Sequence, residues 1–391
     1  VVRIVPSGKK RVYDLTEPVT HSMICNGIVA HNCGEQPLLP FESCNLGAIN
    51  LSKMLKKTEG GCEMDWKKFR STVQDAVHYL DNVIDANSYP IPQIDAASRA
   101  NRKIGLGLMG FADALILLGI PYDSEKAEEF ADEVTGVMEE AAREKSAELG
   151  KERGNFPNFE KSVWKGKYLH MRNAALTTIA PTGTTGIIAN ASSGVEPLFA
   201  ISYLRKVGTT LGEDLIETNP VFEEVMRERG IYSEEIMKKV AGRESVQDIV
   251  EIPKDLRRVF VSAHDITPEW HLRIQAAVQR HIDSAVSKTI NLPNSATIQD
   301  IEDIYVKAWK MKCKGITVYR NNSRSEQVLN FYDCGKKTPD AAHDCKDPTE
   351  DNHLNEPDEK VVEDACPSCG SRMAREEGCM NCKSCGYSVC G

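Results

Sequence analysis

Two cysteines and one acidic residue near the N-terminus have a spacing that suits redox chemistry on a substrate. Glu35 lies two residues after Cys33, and Cys44 lies eleven residues after it. A reactive thiol needs a base nearby, and a second thiol within reach allows a disulfide to form. We therefore treat Cys33, Glu35 and Cys44 as candidate catalytic residues. The alternative is that one cysteine is a buried core residue and the other has no role, since free cysteine is often buried.

The residues just before Cys33 suggest a second use of the same sulfur. An asparagine side chain can attack its own carbonyl group and cut the chain, and a following cysteine can accept an upstream segment as a thioester. Here Asn32 precedes Cys33, and His31 could assist the cyclisation by acid–base catalysis. A chance tripeptide is the alternative, because short motifs often occur by chance.

Residues 1–32 resemble the C-terminal segment of an intein. The resemblance implies that Asp14 and His21 are splicing residues beside His31, Asn32 and Cys33. The composition of this segment predicts a small all-β unit of three short strands, Val12–Leu15, His21–Ile24 and Gly27–Ala30.

From Cys33 onward the chain resembles ribonucleotide reductases. The stretch CGEQPLLPFESCNLGAINL is similar to the active-site loop of the adenosylcobalamin-dependent (class II) enzymes, which have Asn-Pro before the first cysteine instead of His31 and Asn32. The resemblance implies that Cys33 carries the thiyl radical, that Glu35 is the catalytic carboxylate, and that Cys44 is one of two electron-donating thiols. Cys33 would then act first in splicing and afterwards in catalysis.

A glycine-rich stretch, Asn101–Asp113, contains a G-x-G-x-x-G pattern that could indicate a dinucleotide site. A lone pattern of this kind is weak evidence, and no hydrophobic strand precedes it. The stretch also resembles the R-x-I-G-L-G-x-M-G-F-A-D segment of the reductases. We interpret it as a strand-to-helix turn.

The stretch Thr177–Ile188 predicts a β-branched strand followed by a loop rich in hydroxyl groups and glycine. Such a loop can offer N–H groups and hydroxyls to a phosphate, and an ordinary tight turn is the alternative. It is similar to the P-T-G-T motif of the reductases. The resemblance implies that the ribonucleotide is bound by Cys33, Gly34, Glu35, Pro181, Thr182, Gly183, Thr184 and Thr185.

The C-terminal tail, residues 366–391, carries two C-x-x-C-G motifs. Their spacing predicts a four-thiolate zinc ribbon, with Cys366, Cys369, Cys382 and Cys385 as ligands. A tail this short cannot bury a core, so a metal would be needed to fold it. Cys379 and Cys390 are left over, and the family resemblance makes them candidates for reducing the active-site disulfide. A nucleic-acid-binding ribbon is the weaker alternative, since the tail has few basic residues.

Helical spacing of apolar residues predicts helices over 65–85, 124–149 and 298–312, and Cys313–Arg320 predicts a strand. Helices alternating with β-branched strands indicate a mixed α/β fold. The resemblance implies the second half of a ten-stranded α/β barrel, with the Cys33 loop passing through its centre. We expect an intein segment (1–32), a reductase half-barrel (33–332), an acidic flexible linker (333–365) and a zinc-ribbon redox tail (366–391).

The composition limits the class of protein further. A net charge of −9 and a pI near 5.6 argue against a general nucleic-acid-binding surface. No apolar run approaches the ~18 residues of a membrane span, and no signal peptide opens the chain. Thirteen cysteines without a signal peptide indicate reduced thiols, and therefore a cytoplasmic protein.

The expected function is reduction of ribonucleoside di- or triphosphates to deoxyribonucleotides, with adenosylcobalamin as the radical source and zinc in the tail. The expected partners are the N-terminal halves of the reductase and of the intein, a thioredoxin-like reductant, and a second copy in a homodimer. We expect this chain alone to be inactive, because the other half of the barrel would be missing.

Two alternatives stay open. The chain could be the splicing partner of a split intein, or a reductase of another radical class. A glycyl-radical enzyme would need a glycine motif near the end, where cysteines stand here. A di-iron-dependent enzyme would be expected to have paired tyrosines near the end of the barrel, and only Tyr319 is available there.

Overall fold

The structure is a computed structural model that describes residues 23–25, 28–30, 34–205, 215–241, 243, 245–321, 373–376, 379–382 and 388–390. Contacts divide the chain into two units. The larger unit comprises Cys33–Tyr203 and Thr218–Asn330, and the smaller comprises Val1–Asn32, Leu204–Glu217 and Phe331–Gly391.

The helices and strands alternate along the larger unit. The α-helices are α1 (Trp66–Ala86), α2 (Pro92–Asn101), α3 (Phe111–Leu117), α4 (Glu125–Arg153), α5 (Gly183–Ala189), α6 (Pro220–Glu228), α7 (Glu234–Ala241), α8 (Lys254–Val259), α9 (Pro268–Gln279) and α10 (Ile298–Lys310). The strands of the described residues are β1 (Met23–Cys25), β2 (Ile28–Ala30), β3 (Asn45–Asn50), β4 (Leu55–Thr58), β5 (Gly61–Met64), β6 (Ile104–Met109), β7 (Ser202–Arg205), β8 (Leu215–Thr218), β9 (Thr289–Leu292), β10 (Thr317–Arg320), β11 (Met373–Glu376), β12 (Cys379–Cys382) and β13 (Ser388–Cys390).

Parallel pairing joins five extended segments of the larger unit in the order of the chain. Strand β3 pairs with β6, and β6 pairs through Leu106 with Thr177 in residues 175–179, here called the third segment. Ile179 of that segment pairs with Val286 in residues 284–292, the fourth segment, which includes β9. Strand β9 then pairs with β10. We call this arrangement the parallel layer.

Helices connect each segment of the parallel layer to the next, as parallel pairing requires. Helices α1 and α2 lie between β3 and β6 in the chain, α3 and α4 follow β6, and α10 links β9 to β10. Five neighbouring parallel segments in chain order, joined by helices, confirm the predicted mixed α/β fold. Within the described residues the layer does not close into a barrel.

Local signals determine where the main helices begin. Asp65 accepts a hydrogen bond from the Lys68 N–H at the start of α1, and Ser124 accepts one from Ala127 at the start of α4. Thr297 opens α10 with a full capping box. The predicted helices over 65–85, 124–149 and 298–312 are confirmed to within a few residues.

The core of the larger unit forms where these helices cover the parallel layer. The apolar stripe of α1, which includes Phe69, Val73 and Val77, is fully buried in one cluster with Leu106 and Leu108 of β6. A second cluster lies around Phe222 and Phe260, whose rings meet edge to face at 4.9 Å. This packing fixes the layer on which the candidate site lies.

Several of the described strands outside this layer form short antiparallel pairs. Strand β1 pairs with β2, where the sequence predicts strands His21–Ile24 and Gly27–Ala30, while Val12–Leu15 lies outside the described residues. Strands β11, β12 and β13 form an antiparallel sheet in the tail. In the parts of the chain that the structure describes, no helix is both long and apolar enough to cross a bilayer.

Candidate active site

The loop from Cys33 to Cys44, here called the thiol loop, is held against the parallel layer by its backbone. The carbonyl oxygen of Glu35 accepts hydrogen bonds from the Ala285 N–H (2.9 Å) and from the Thr178 hydroxyl (3.0 Å). These donors belong to the fourth and third segments. Since both donors lie on core strands, the position of the Glu35 main chain is set by the layer and not by the loop alone.

The side chain of Glu35 is directed into the protein, with 6% of its surface exposed. Its Oε2 atom is buried and has no hydrogen-bond partner among the described residues. A buried polar atom without a partner is unfavourable, and such atoms are rare away from binding and catalytic sites. The arrangement leaves a carboxylate oxygen available to a bound molecule.

The side chain of Gln36 packs between the thiol loop and β6. Its Oε1 atom accepts a hydrogen bond from the Ser284 hydroxyl at 3.4 Å, whereas its Nε2 atom is buried without a partner in the described residues. A Cβ atom added at Gly105 would lie 2.7 Å from Gln36 Nε2 and 2.8 Å from Thr178 Cγ2. Glycine at position 105 therefore allows the loop to approach the layer this closely.

The first described residue of the thiol loop, Gly34, is open to solvent. Cys33 lies outside the described residues, but Gly34 is exposed, with a φ of +71° and no atom within 4 Å of the point that a Cβ atom would occupy. A Cβ atom on Gly315, which precedes β10, would lie 3.7 Å from the Gly34 carbonyl oxygen. The loop thus changes from exposed to buried within one residue, between Gly34 and Glu35.

Cys44 ends the thiol loop beside β3 and is half-buried. Burial raises the pKa of its thiol to about 12, and the charges of Glu42 and Glu35 add to the effect while Lys103 opposes it. The thiol is therefore protonated at neutral pH. A protonated thiol suits a hydrogen or proton donor better than a nucleophile, since the nucleophilic form is the thiolate.

Glu42 anchors the loop just before Cys44. Its carboxylate accepts hydrogen bonds from the Lys103 ammonium group (2.6 Å), the Leu39 N–H (2.6 Å) and the Asn101 amide. Burial would raise the pKa of Glu42, but these donors together lower it. The charged carboxylate of Glu42 thus binds the thiol loop to the residues just before β6.

The predicted phosphate loop, residues 181–185, follows the third segment and is called the PTGTT turn here. Thr182 adopts a left-handed conformation (φ +51°), and its hydroxyl accepts a hydrogen bond from the Gly194 N–H at 2.7 Å. Pro181, Gly183, Thr184 and Thr185 are exposed. Because Thr178 contacts Glu35, the turn begins only about 10 Å further along the same extended segment, at ~3.3 Å per residue.

Residues Ser192 to Glu196 support this turn and are here called the support segment. Two carboxylates form hydrogen bonds that fix this segment in place. Asp113 of α3 accepts a hydrogen bond from the Ser192 N–H at 2.6 Å. Glu196 accepts one from Lys288 Nζ at 2.8 Å and one from the Thr289 N–H at 2.5 Å. The shape of the PTGTT turn therefore depends on α3 and on the fourth segment.

Lys288 is fully buried, and its ammonium group also donates to Nδ1 of His271 at 2.9 Å. Burial lowers the pKa of Lys288. The burial of His271 and the nearby charge of Lys288 lower the pKa of His271 to about 2. A neutral His271 can accept from Lys288 at Nδ1 and donate from Nε2 to the Ala263 carbonyl, 3.2 Å away. Tyr122, whose ring lies beside His271 and Lys288, donates a hydrogen bond to the Val195 carbonyl at 2.6 Å. This bond connects the buried His271–Lys288 pair to the support segment.

The structure thus brings together some of the predicted site residues. Glu35 and the segment leading into the PTGTT turn are in contact, and Cys44 lies close enough to Glu35 for their charges to interact. The splicing residues Asp14, His21, His31 and Asn32 lie outside the described residues, as do the side chains of the tail cysteines. Within the described residues no group of three or more potential ligands could hold a metal ion.

Sequence reasoning missed Gln36, Thr178, Asp113, His271 and Lys288. The contacts of these residues span long distances in the sequence, 143 residues between Thr178 and Glu35. Only Lys288 gave a local signal, as a charged residue among the uncharged residues of the stretch 284–292.

Comparison with known proteins agrees with this fold. The family described as "Ribonucleotide reductase, barrel domain" matches residues 20–171 and 170–319. The chain is 48% identical over 299 residues to the vitamin B12-dependent ribonucleoside-diphosphate reductase of Mycobacterium tuberculosis (strain ATCC 25618 / H37Rv), which covers 76% of this chain and 41% of that protein. A protein of the same name from Thermoplasma acidophilum is 48% identical over 308 residues, covering 79% of this chain and 39% of its own.

A solved structure supports the fold alone. The Actinobacillus ureae class Id ribonucleotide reductase alpha subunit superposes with a TM-score of 0.60 at 23% identity, over 74% of this chain and 52% of that one. The chain spans about two-fifths of the length of the two B12-dependent relatives. On the strength of the family match and these relatives, the chain belongs to the ribonucleotide reductase barrel-domain family.

Proposed function

We propose that this chain is the C-terminal part of the catalytic barrel of an adenosylcobalamin-dependent ribonucleotide reductase, which makes deoxyribonucleotides once the missing half is joined. The observation that carries the proposal is the buried, unpartnered carboxylate oxygen of Glu35, on a loop fixed by two core strands. The names of the two B12-dependent relatives support the choice of reductase class.

In this proposal Cys33, as a thiyl radical, takes the 3′ hydrogen atom of the ribose. Glu35 accepts the proton of the 3′ hydroxyl group, which a carboxylate with a free oxygen can do. Cys44, protonated because its burial raises its pKa, supplies a proton as the 2′ hydroxyl leaves as water. Cys44 and a second thiol from the absent half supply two electrons and end as a disulfide, and the hydrogen of the second thiol goes to C2′. Glu35 then returns its proton to the 3′ oxygen, and Cys33 returns the hydrogen atom to C3′.

The substrate would lie between the thiol loop and the PTGTT turn. Cys33, Gly34 and Glu35 would contact the sugar. The phosphates would bind the exposed turn formed by Pro181, Thr182, Gly183, Thr184 and Thr185. Its exposed donors are the N–H groups of residues 183–185 and the hydroxyls of the last two threonines. The open space around Gly183, with no atom within 4 Å of a Cβ position, is consistent with a ligand there. Whether the substrate is a di- or a triphosphate depends on this turn and on the absent half.

The exposed start of the thiol loop fits a large cofactor better than the buried Glu35 end does. Gly34 is open to the outside, so a bulky group could approach Cys33 from that side. Gly34 and Gly315 would border the bound cofactor, and adenosylcobalamin would supply radical chemistry to Cys33.

The tail would return the disulfide to its reduced state. We assign zinc to Cys366, Cys369, Cys382 and Cys385, and thiol exchange to Cys379 and Cys390, with a thioredoxin-like protein as the final reductant. Residues 333–365 would act as the linker between half-barrel and tail. We expect the completed enzyme to be a cytoplasmic homodimer, which gel filtration would test.

Splicing is a second candidate function for residues 1–32. The antiparallel pair β1–β2, close to two of the predicted intein strands, favours it. Mixing this chain with the matching N-terminal precursor should release residues 1–32 and join the two exteins at Cys33. Asn32→Ala should block that release, and unchanged release would exclude Asn32 cyclisation.

The reductase proposal is tested on the completed enzyme, made by joining this chain to the missing half. It should form dCDP or dCTP only with adenosylcobalamin, and Glu35→Gln should lower turnover by ~100-fold or more with substrate binding retained. Glu63→Gln, on exposed strand β5, serves as the matched control. Full turnover by the Glu35→Gln enzyme, or reduction by this chain without the missing half, would refute the proposal.

A further inference from the structure

A basic cleft lies at the opposite end of the parallel layer from the PTGTT turn. It has a volume of about 860 Å³ and is bordered by α4, by α9, by the residues after α10, and by Ile282 and Asp283, where the fourth segment begins. The turn follows the other end of the strands, at the end of the third segment. The two places are therefore separated by the length of the strands.

Most of the charged side chains that border the cleft are cationic. Its positive groups are Arg143, Lys167, Arg280, Lys310, Lys312 and Lys314, against two carboxylates, Glu139 and Asp283. Clustered like charges repel one another, and the repulsion is strongest where walls of low dielectric constant concentrate the field. An excess of positive charge in a concave site therefore favours a bound anion.

The two carboxylates of the cleft are already engaged. Glu139 pairs with Arg143 and accepts from His281 Nδ1 at 3.0 Å. Asp283 accepts a hydrogen bond from the Leu176 N–H at 2.9 Å and lies 3.5 Å from Arg143. Both carboxylates are thus used by Arg143 and by groups outside the cleft.

Three lysines of the cleft are left without such partners. Among the described residues, Lys167, Lys310 and Lys312 form no ion pair. Lys310 and Lys312 lie at the end of α10, where cations also complement the helix dipole. Lys167 comes from a different part of the chain, so the helix dipole does not account for the whole cluster.

Two further cations are built into the wall of the cleft. The guanidinium group of Arg143 lies over the ring of Trp164, 5.2 Å from its centroid, and its Nε atom is buried without a hydrogen-bond partner in the described chain. The ammonium group of Lys314, an exposed residue, donates to the carbonyl oxygens of Ile282 (3.0 Å) and Asp283 (2.6 Å). Fixing charged groups in this way has a desolvation cost that an anion in the cleft would offset.

We propose that this cleft binds the polyphosphate group of a small molecule, at a site separate from the PTGTT turn. A chain of two or three phosphates carries several negative charges that could contact Lys167, Lys310 and Lys312 together. The volume is in the range of small-molecule sites, ~300–1,000 Å³. The inference does not depend on the proposed reductase function, because it uses none of the residues of the thiol loop.

The test is calorimetric titration of the full chain with inorganic triphosphate and, in a second arm, with ATP, at low and at moderate salt. We expect saturable binding of triphosphate that weakens as salt increases. Equal affinity for both ligands would indicate recognition of phosphate alone, and tighter binding of ATP would add a contact to the nucleoside. Either result supports the site.

Charge-reversal variants locate the binding. Lys310→Glu with Lys312→Glu should weaken triphosphate binding at least tenfold. A control pair, Lys67→Glu with Lys126→Glu, makes the same change in net charge at exposed positions on other helices and should change binding less than twofold. Thr184→Val with Thr185→Val alters the PTGTT turn and should leave the cleft intact.

Three results would overturn the proposal. The first is that neither triphosphate nor ATP binds saturably. The second is that the Lys310/Lys312 variant and the control variant lose the same amount of triphosphate affinity. The third is that only the PTGTT-turn variant loses all triphosphate binding. Circular dichroism of each variant confirms that it is folded, and a misfolded Lys310/Lys312 variant would be replaced by Lys167→Glu, which lies outside any helix.

Discussion

Acidification should destabilise the protein through a single buried histidine. The fully buried ring of His271 accepts a hydrogen bond from Lys288, and protonation would place two positive charges 2.9 Å apart. Burial and the charge of Lys288 lower the pKa of His271 from the ordinary value of 6.5 to about 2, and His264 acts in the same direction.

The sign and size of the effect follow from proton binding. Between pH 2 and 6.5 the unfolded chain binds a proton at position 271 and the folded chain does not, so the free energy of unfolding falls as the pH falls. One pKa unit corresponds to ~1.36 kcal/mol, so lowering the pH from 7.5 to 5.0 should cost about 2 kcal/mol from this residue. The loss is complete only at the folded-state pKa, far below pH 5.

Urea unfolding of the full chain at pH 7.5, 6.0 and 5.0 measures this cost, and His271→Gln supplies the matched control. Glutamine can still accept a hydrogen bond from Lys288 but does not titrate. The unsubstituted protein should lose about 2 kcal/mol more than the variant over this range. Equal losses in the two proteins would show that His271 titrates alike in the folded and unfolded chains, and the reasoning would be wrong.

Three further predictions concern the site. Gly105→Ala should lower the free energy of unfolding by ~1–3 kcal/mol, because the new methyl group would lie 2.5 Å from Leu46 Cδ2; Gly183→Ala, in open space, should change it by less than ~0.5 kcal/mol, and equal effects would contradict close packing at Gly105. Lys288→Met should destabilise the chain by ~3–5 kcal/mol in urea unfolding, because Glu196 loses its charged partner. Adding Glu196→Leu should recover part of that loss, and no recovery would mean that the two residues act independently. Alkylation of Cys44 by iodoacetamide at pH 8, followed by peptide mass spectrometry, should be at least ~10-fold slower than alkylation of Cys62; equal rates would show that the Cys44 thiol is not protected.

The elements set by local sequence could be predicted well. The apolar spacing and the capping residues Asp65, Ser124 and Thr297 define α1, α4 and α10, because those interactions lie within one helical turn. The glycine-rich stretch predicts a strand-to-helix turn. The structure confirms this, with β6 ending at Met109, Gly110 at a φ of +71°, and α3 starting at Phe111.

The packing around the site could not be predicted from the same signals. No local pattern explains why position 107 is glycine, whereas in the structure a Cβ atom there would lie 2.2 Å from the Thr178 carbonyl oxygen. The buried Lys288–Glu196 pair joins residues 92 positions apart. Such contacts depend on which strands become neighbours, and that follows from the whole topology, which local periodicity does not encode.

The two outer strands of the parallel layer have a consequence for how this polypeptide must be handled in the cell. Within the described residues, β3 and β10 each pair on one side only, so each offers a row of unused N–H and C=O groups. Such borders readily recruit another extended peptide. We expect this chain to self-associate through those borders wherever no other strand covers them, and a partner that covered them would also protect the cell from aggregates.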